Sequence, residues 1–470
     1  AASASIMCLD AATGKLLGRV NTGSDITNPN KEISGSAGRV WSDVIVKDID
    51  KDGKLEIIVG SQKGYVAVYD ANGKFKPGWP QKPVEDTREC KSVEVADLDG
   101  NGTYEIIAGF TGNFSQNVWV FEHNGKIRKG WPQLEAAYDG FKNKNNQDLK
   151  VRNSTAYAYG IYHDSISVGD INNDGKPEIV VPSDTRSICV YNANGTLVKA
   201  SSIFGGRTWG KIGVWENYEY EKKVENEGWG FVNANSPDDI RVAGQLALSA
   251  SEVVDVDGDG TNEVVVSAKM FDAPSGMPPS LYQTVMILHG NRERFKTDKY
   301  DWTVLPKSSP PINSSAEDFL IINNAMNDPV VEDIDGDGIK EILTSTYDGK
   351  LHCFWLDKKE KYSWPFNVYS EERNTLEFSS KPTVFDIDKN GSKEIIFTTW
   401  TEKDANVDGR LYILDYKGNV LKSTDLPGSM GALQSNGCSA APVVADVDKD
   451  GQYEIVLSTL LSGVVVYELE

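Results

Sequence analysis

The sequence predicts an all-β protein, a seven-bladed β-propeller of four-stranded antiparallel blades spanning 1–470 as one domain, on three observations. An acidic nonapeptide recurs seven times. Each copy runs into a short β-branched segment, and no long stretch has helical periodicity. Recurrence of one supersecondary unit is what a propeller needs, since a single four-stranded sheet cannot bury both faces alone.

The copies are "DIDKDGKLE" from Asp48, "DLDGNGTYE" from Asp97, "DINNDGKPE" from Asp170, "DVDGDGTNE" from Asp255, "DIDGDGIKE" from Asp333, "DIDKNGSKE" from Asp386 and "DVDKDGQYE" from Asp446. Each has Asp at position 1, Asp or Asn at 3 and 5, Gly at 6 and Glu at 9. Calcium takes six to eight oxygen ligands, and alternating side chains of a tight loop can converge on it, whereas magnesium gives up its waters less readily. The candidate ligands of the first loop are Asp48, Asp50, Asp52, the Lys54 carbonyl and Glu56. In the second they are Asp97, Asp99, Asn101, Thr103 and Glu105, and in the third Asp170, Asn172, Asp174, Lys176 and Glu178. The fourth offers Asp255, Asp257, Asp259, Thr261 and Glu263, the fifth Asp333, Asp335, Asp337, Ile339 and Glu341. Asp386, Asp388, Asn390, Ser392 and Glu394 make the sixth; Asp446, Asp448, Asp450, Gln452 and Glu454 make the seventh. In every set the position-7 residue contributes its backbone carbonyl. Asp, Asn and Gly also favour ion-free turns, but such a turn gives no reason for Glu at position 9 in every copy.

Segments such as "EIIVG" and "EIVVP" follow the loops as second strands. "YVAVYDANGK" and "VWVFEHNGK" read as third strands closed by Asn-Gly turns. "GWP" at 78–80 and 130–132, and Trp364-Pro365, mark fourth strands. The chain ends in a third strand, "GVVVYELE", and begins with an orphan strand, "SIMCLD", so the economical expectation is a ring closed by the N-terminal strand. The alternative is an eighth, partly built blade.

The pattern "DxDxDGxxEIxxG … GxVxVYDxxGxxxxGWP" resembles the FG-GAP/VCBS repeat family, whose loops are like those of integrin α-chain propellers. That resemblance implies up to seven structural Ca2+ ions. Glu at position 9 and "EIIVG" in place of the integrin signature point to a bacterial-type relative.

In a meander the acidic loops and the Asn-Gly turns share one face. Insertions at 135–160, 199–247 and 307–324 follow fourth strands and that at 270–281 follows a second strand, so all emerge on the opposite face. Function in such scaffolds lives on elaborated loops. Candidate ligand-binding residues there are His163, Asp164, Arg207, Trp209, Trp215, Tyr218, Tyr220, Trp229 and Arg241, with Tyr157 and Tyr159 nearby. Aromatic planes among charged groups suit sugar rings or peptide side chains; the same aromatics would also pack a long loop on itself.

Two functions are open. One is an extracellular recognition module for a glycan, glycoprotein or protein. The other is a polysaccharide lyase of the ulvan-lyase type acting on uronic-acid polymers. For that chemistry His163, Tyr162 and Arg207 are the candidates for base, acid and carboxylate-neutralising cation. No GxSxG, HExxH or phosphate-binding Gly-rich loop is present. His123, His289 and His352 fall in or beside third strands.

A net charge of −21 argues against nucleic acid, and no apolar run is long enough to span a membrane. The opening residues "AASASIMCLD" have no basic segment followed by an apolar run; a secreted or cell-surface chain whose signal peptide has been removed is expected, and a monomer. Five cysteines without a CxxC pair give neither a zinc site nor a disulfide framework, and Cys8, Cys189 and Cys353 are expected to be buried.

Overall fold

The structure is a computed structural model. It describes residues 5–27, 37–83, 89–111, 117–133, 166–182, 188–204, 209, 218, 245–271, 283–306, 328–346, 348–368, 377–401, 407–428, 437–460 and 462–469, with backbone alone at 245–250, 268–271 and 283. The chain divides into two compact units, 2–253 with 288–293, and 254–287 with 294–470.

In the first unit, β1 (Ser5–Leu9) and β2 (Leu16–Asn21) form a two-stranded sheet. Three-stranded antiparallel sheets follow: β3 (Ile45–Lys47), β4 (Glu56–Gly60) and β5 (Val66–Asp70), then β6 (Cys90–Ala96), β7 (Glu105–Phe110) and β8 (Val118–Phe121), then β9 (Ser167–Gly169), β10 (Glu178–Pro182) and β11 (Ile188–Asn192). The unit division passes through the sheet of β12 (Gln245–Val254), β13 (Glu263–Phe271) and β14 (Gln283–Leu288). The second unit continues with β15 (Val330–Glu332), β16 (Glu341–Thr346), β17 (Lys350–Phe354) and β18 (Phe366–Asn367) in one sheet. A five-stranded sheet holds β19 (Glu377–Ser379), β20 (Thr383–Phe385), β21 (Glu394–Thr401), β22 (Arg410–Leu414) and β23 (Val420–Asp425). The last sheet is β24 (Val443–Ala445), β25 (Glu454–Thr459) and β26 (Gly463–Glu468). Each acidic loop joins two successive antiparallel strands, the first and second of the sheet in six cases and β20 and β21 in the five-stranded sheet. The fold is thus all-β, a series of small antiparallel sheets; among the described residues a 3₁₀ turn, Ser202–Phe204, and the helical Tyr218 interrupt it. Among the described residues no helix is long and apolar enough to cross a membrane.

The second strands are continuously apolar because both their faces are covered. In β7 every residue is buried. Ile106 and Ala108 pack with Ile58, Val66, Val68 and Trp79 of the preceding sheet. Ile107, pointing the other way, joins Trp131 of its own sheet and Ile179, Val181 and Cys189 of the following one. Period-two alternation therefore reads here as two half-cores rather than as core and solvent. The second unit repeats the arrangement, with Ile395 and Phe397 facing one cluster and Ile396 facing another.

Fourth strands are shorter than expected. Only β18 and β23 are regular; elsewhere the strand is reduced to isolated bridges such as Val66↔Gln81 and Val118↔Gln133. Pro80 and Pro132 stand immediately before Gln81 and Gln133, and proline has no N–H to extend a ladder. The N-terminal strand also differs from expectation. β1 pairs with β2, not with β26. Ile6 and Val20 instead pack on Val59, Ala67 and Tyr69, the outer face of the first sheet. The hairpin is a two-stranded sheet of its own, so the expected closure by the N-terminal strand is not found among the described residues. Cys8 is exposed rather than buried, because the two-stranded hairpin leaves this part of β1 uncovered, whereas Cys189 and Cys353 are buried as expected, with Cys90 and Cys438.

Candidate metal centres

The seven loops share one hydrogen-bond scheme. The position-6 glycine donates its N–H to the position-1 aspartate in every copy, from Gly53 on Asp48 at 3.0 Å to Gly451 on Asp446 at 3.1 Å. The position-7 N–H reaches the position-5 side chain each time, as in Lys54 on Asp52 at 2.8 Å and Thr103 on Asn101 at 2.7 Å. The position-6 glycines adopt φ between 81° and 94°, the left-handed conformation for which glycine has no steric penalty. Position 4 is left-handed in every loop too, including Lys51, Asn173, Lys389 and Lys449 at φ 58–66°, which the sequence reading missed. Three glycines and one asparagine among the seven position-4 residues were the available signal.

Position 9 proves to have a structural role. The Oε2 of each buried glutamate accepts the N–H of position 2: Ile49 on Glu56 at 3.0 Å, Leu98 on Glu105 at 2.8 Å, Ile171 on Glu178 at 3.1 Å, Val256 on Glu263 at 3.3 Å. The same bond runs from Ile334 to Glu341 at 3.0 Å, Ile387 to Glu394 at 2.8 Å and Val447 to Glu454 at 2.7 Å. An ion-free turn therefore does have a use for Glu here, which corrects the sequence argument. That use engages one carboxylate oxygen. The other is what the loops treat differently.

In the first loop Glu56 Oε1 takes the Lys76 ammonium at 2.9 Å, which also lies 2.8 Å from Asp50 and 3.7 Å from Asp52. Burial works against the Lys76 charge, yet Asp50 and Glu56 outweigh it and hold its pKa above the usual range. In the second loop Arg128 spans Glu105 at 3.1 Å, Asp99 at 3.0 Å and Glu122 at 3.3 Å. In the third the Asn172 amide donates to Glu178 Oε1 at 2.9 Å. In the fifth, Glu341 is fully buried and its Oε1 has no partner. Burial, reinforced by Asp335, Asp337 and Asp333, pushes the Glu341 carboxyl up to about 8 against the pull of the Ile334 N–H. Burial likewise raises Glu178 to about 7.

The structure gathers carboxylates as the sequence predicted. Asp48, Asp50 and Glu56 have ligand atoms within 4.8 Å of one another, as do Asp97, Asp99 and Glu105; Asp255, Asp257 and Asp259; Asp333, Asp335 and Glu341; and Asp386, Asp388 and Glu394. Buried carboxylate oxygens without a hydrogen-bond partner belong to these clusters in the first loop (Asp48 and Asp50 Oδ1), the second (Glu105 Oε1) and the fifth (Glu341 Oε1), and in the fifth no lysine or arginine stands on the glutamate.

The candidate ligand-binding aromatics fare differently. Trp209 is fully buried and its indole N–H meets the Gly290 carbonyl at 3.3 Å, so its plane is closed to a ligand. It follows the pattern of the other fourth-strand tryptophans. Trp79 donates to His123 O at 2.9 Å, Trp131 to Ala193 O at 3.1 Å, Trp302 to Leu356 O at 2.9 Å and Trp364 to Tyr416 O at 2.9 Å. Each indole thereby ties one sheet to the turn of the next. Gly78 and Gly130 permit the approach: a Cβ there would lie 2.0 Å from Asn124 O and 2.1 Å from Asn194 O. Tyr218 is half-buried. His163, Asp164, Tyr162, Arg207, Trp215, Tyr220, Trp229 and Arg241 lie outside the described residues. His352, the described histidine with the strongest environment, bridges Glu360 at 2.9 Å and Asp348 at 3.2 Å inside the fifth sheet.

Residues 48–108 match the FG-GAP-like repeat family. No curated protein matches the sequence. Among solved structures, the exotype rhamnogalacturonan lyase YesX aligns with 17% identity and a TM-score of 0.49, covering 99% of this chain and 65% of that one. BamB from Moraxella catarrhalis aligns with 11% identity and a TM-score of 0.44 over 100% and 98% of the two chains. BBS1N in complex with ARL6DN gives 10% identity and a TM-score of 0.45 over 91% and 92%. These likenesses are too distant to carry a function.

Proposed function

We propose that this chain, whose residues 48–108 match the FG-GAP-like repeat, is a calcium-braced recognition module, a β-propeller built of seven blades around seven acidic loops and acting outside the cell. The observation that carries the calcium reading is the partnerless, fully buried Glu341 Oε1 beside Asp333 and Asp335. Asp333, Asp335, Asp337, the Ile339 carbonyl and Glu341 would hold the ion, which supplies positive charge to an otherwise uncompensated cluster. Calcium at the roughly millimolar level found outside cells suits open loops of this kind.

The loop-bearing edge carries the acidic loops, the turns after the third strands and, in five sheets, the indole latch from the neighbouring sheet. Recognition is therefore assigned to the opposite edge, to which the sequence assigns the insertions at 135–160, 199–247, 270–281 and 307–324, Trp209 excepted because it latches onto the Gly290 turn, and to a glycan or protein ligand. His163, Arg207, Trp215, Tyr220 and Trp229 are the proposed contacts. The test is a glycan and protein array, followed by affinities of Trp215→Ala and Arg207→Ala. Loss of binding in both supports the assignment, and unchanged binding in both removes it. Release of an unsaturated uronic acid from a polysaccharide would replace this reading with the lyase.

A further inference from the structure

The seven loops are uniform in sequence and backbone but not in how the inner oxygen of the buried glutamate is satisfied. In the first sheet the ammonium of Lys76 sits within hydrogen-bonding distance of both Asp50 and Glu56. In the second the Arg128 guanidinium lies on both Asp99 and Glu105. These are the two oxygen sets that the same loops would offer an ion.

Both cations come from one structural position. Lys76 N–H donates to Val68 O and Arg128 N–H to Val120 O, just after the turn that closes the third strand. The matching residue in the third sheet is Val198, bonded to Val190 O, and in the fourth Phe295, bonded to Ile287 O. Neither can supply charge. In the fifth sheet the matching Lys361 lies over the Trp355 ring, 4.8 Å from its centroid, and Glu341 Oε1 is left without a partner. In the sixth it is Leu421, and the seventh sheet ends at its third strand.

We propose that Lys76 and Arg128 are resident cations, holding the first and second loops closed in place of a divalent ion, so that metal dependence is confined to the loops beyond them. The inference rests on the reading of the acidic loops as calcium sites. A divalent ion in the first loop would have to expel an ammonium bonded to the same carboxylates and leave it beside a second positive charge. In the fifth loop nothing has to move. The residues at this position along the first six sheets are Lys, Arg, Val, Phe, Lys and Leu, and it is the side-chain placement, on carboxylates for Lys76 and on a tryptophan ring for Lys361, that separates the first sheet from the fifth.

The test is native mass spectrometry of the whole chain with calcium chloride, comparing the wild type with Lys76→Met, Arg128→Met and the double variant. The wild type should load no more than five ions, each single variant one more, and the double variant two more. A wild type that loads seven, with variants that gain none, overturns the inference and leaves the calcium reading intact. No loading by the wild type or any variant overturns the calcium reading itself, and the inference with it. A second measurement needs no variant. Hydrogen exchange of the wild type on adding a chelator should leave 48–56 and 97–105 unchanged while 333–341 exchanges about tenfold faster or more. Equal acceleration in all three loops contradicts the inference.

Discussion

The loop at Asp48 and the loop at Asp333 fold alike and are neutralised differently. Both place glycine at position 6 in the left-handed region, both bond that glycine to the first aspartate, and both cap position 2 with a buried glutamate. In the first, a lysine two residues beyond the turn satisfies the buried glutamate, while Asp48 Oδ1 and Asp50 Oδ1 stay without a hydrogen-bond partner. In the fifth, one buried oxygen is left unpartnered. Loop conformation is thus set by hydrogen bonds that need no ion, while the lysine after the turn lies on carboxylates in the first sheet (Lys76) and on the Trp355 ring in the fifth (Lys361). A repeat motif therefore reports shape more reliably than occupancy.

The tryptophan latch is common to both regions and provides the control with the largest effect. Trp79→Ala and Trp364→Ala each remove a buried indole and its hydrogen bond, and should cost about 3–5 kcal/mol. Chemical denaturation should give similar losses for the two with and without chelator. A loss confined to calcium would mean that the latch acts through the loops.

Lys76→Met should divide the two regions. Without calcium it leaves Glu56 buried and unpaired, at a cost of about 3 kcal/mol after allowing for the partial exposure of Lys76. Adding calcium should restore most of that stability. The change Lys361→Met beside the fifth loop should cost under about 1 kcal/mol in either condition, since that side chain makes only a ring contact. Denaturation curves of both variants, with and without calcium, check this pair.

The fifth sheet carries a second ionic device. Burial lowers the His352 pKa, but Asp348 and Glu360 more than reverse this and raise it to about 9. A folded pKa above the unfolded value of roughly 6.5 gives stability that is fully present below that pH and is lost as pH rises through about 9. The loss is on the order of 2–3 kcal/mol. It should appear in chemical denaturation across this window and be absent in His352→Gln. A flat profile in the wild type would show that the imidazole is neutral in the fold.

The smallest effect concerns position 4. Lys389 is held at φ 60°, so Lys389→Gly should relieve strain by up to about 1 kcal/mol. Lys51→Gly should gain less, because the Lys51 ammonium packs where a Cβ on Gly102 of the next loop would stand. Differential scanning calorimetry of the two variants ranks them.

The acidic loops, their strands and the turns after the third strands were legible because each is local: spacing, glycine and β-branching specify them within a few residues. What escaped depends on contacts between sheets. Trp209 looked like a loop aromatic because it lacks the "GWP" frame, and only its bond to Gly290, far along the chain, marks it as a latch. The N-terminal hairpin was misread for the same reason, since "SIMCLD" alone does not say which edge β1 meets. The role of Glu at position 9 was half legible: its charge suggested a ligand, while its bond to position 2 is visible only in three dimensions.

The central claim, that divalent ions brace the acidic loops, is tested most directly by thermal unfolding of the wild type in calcium and in excess chelator. Each site whose dissociation constant lies a hundredfold below the free calcium concentration contributes about 2.7 kcal/mol. The account predicts a melting temperature lower by at least several degrees in chelator, recovered on adding calcium. An identical melting temperature in both would contradict it.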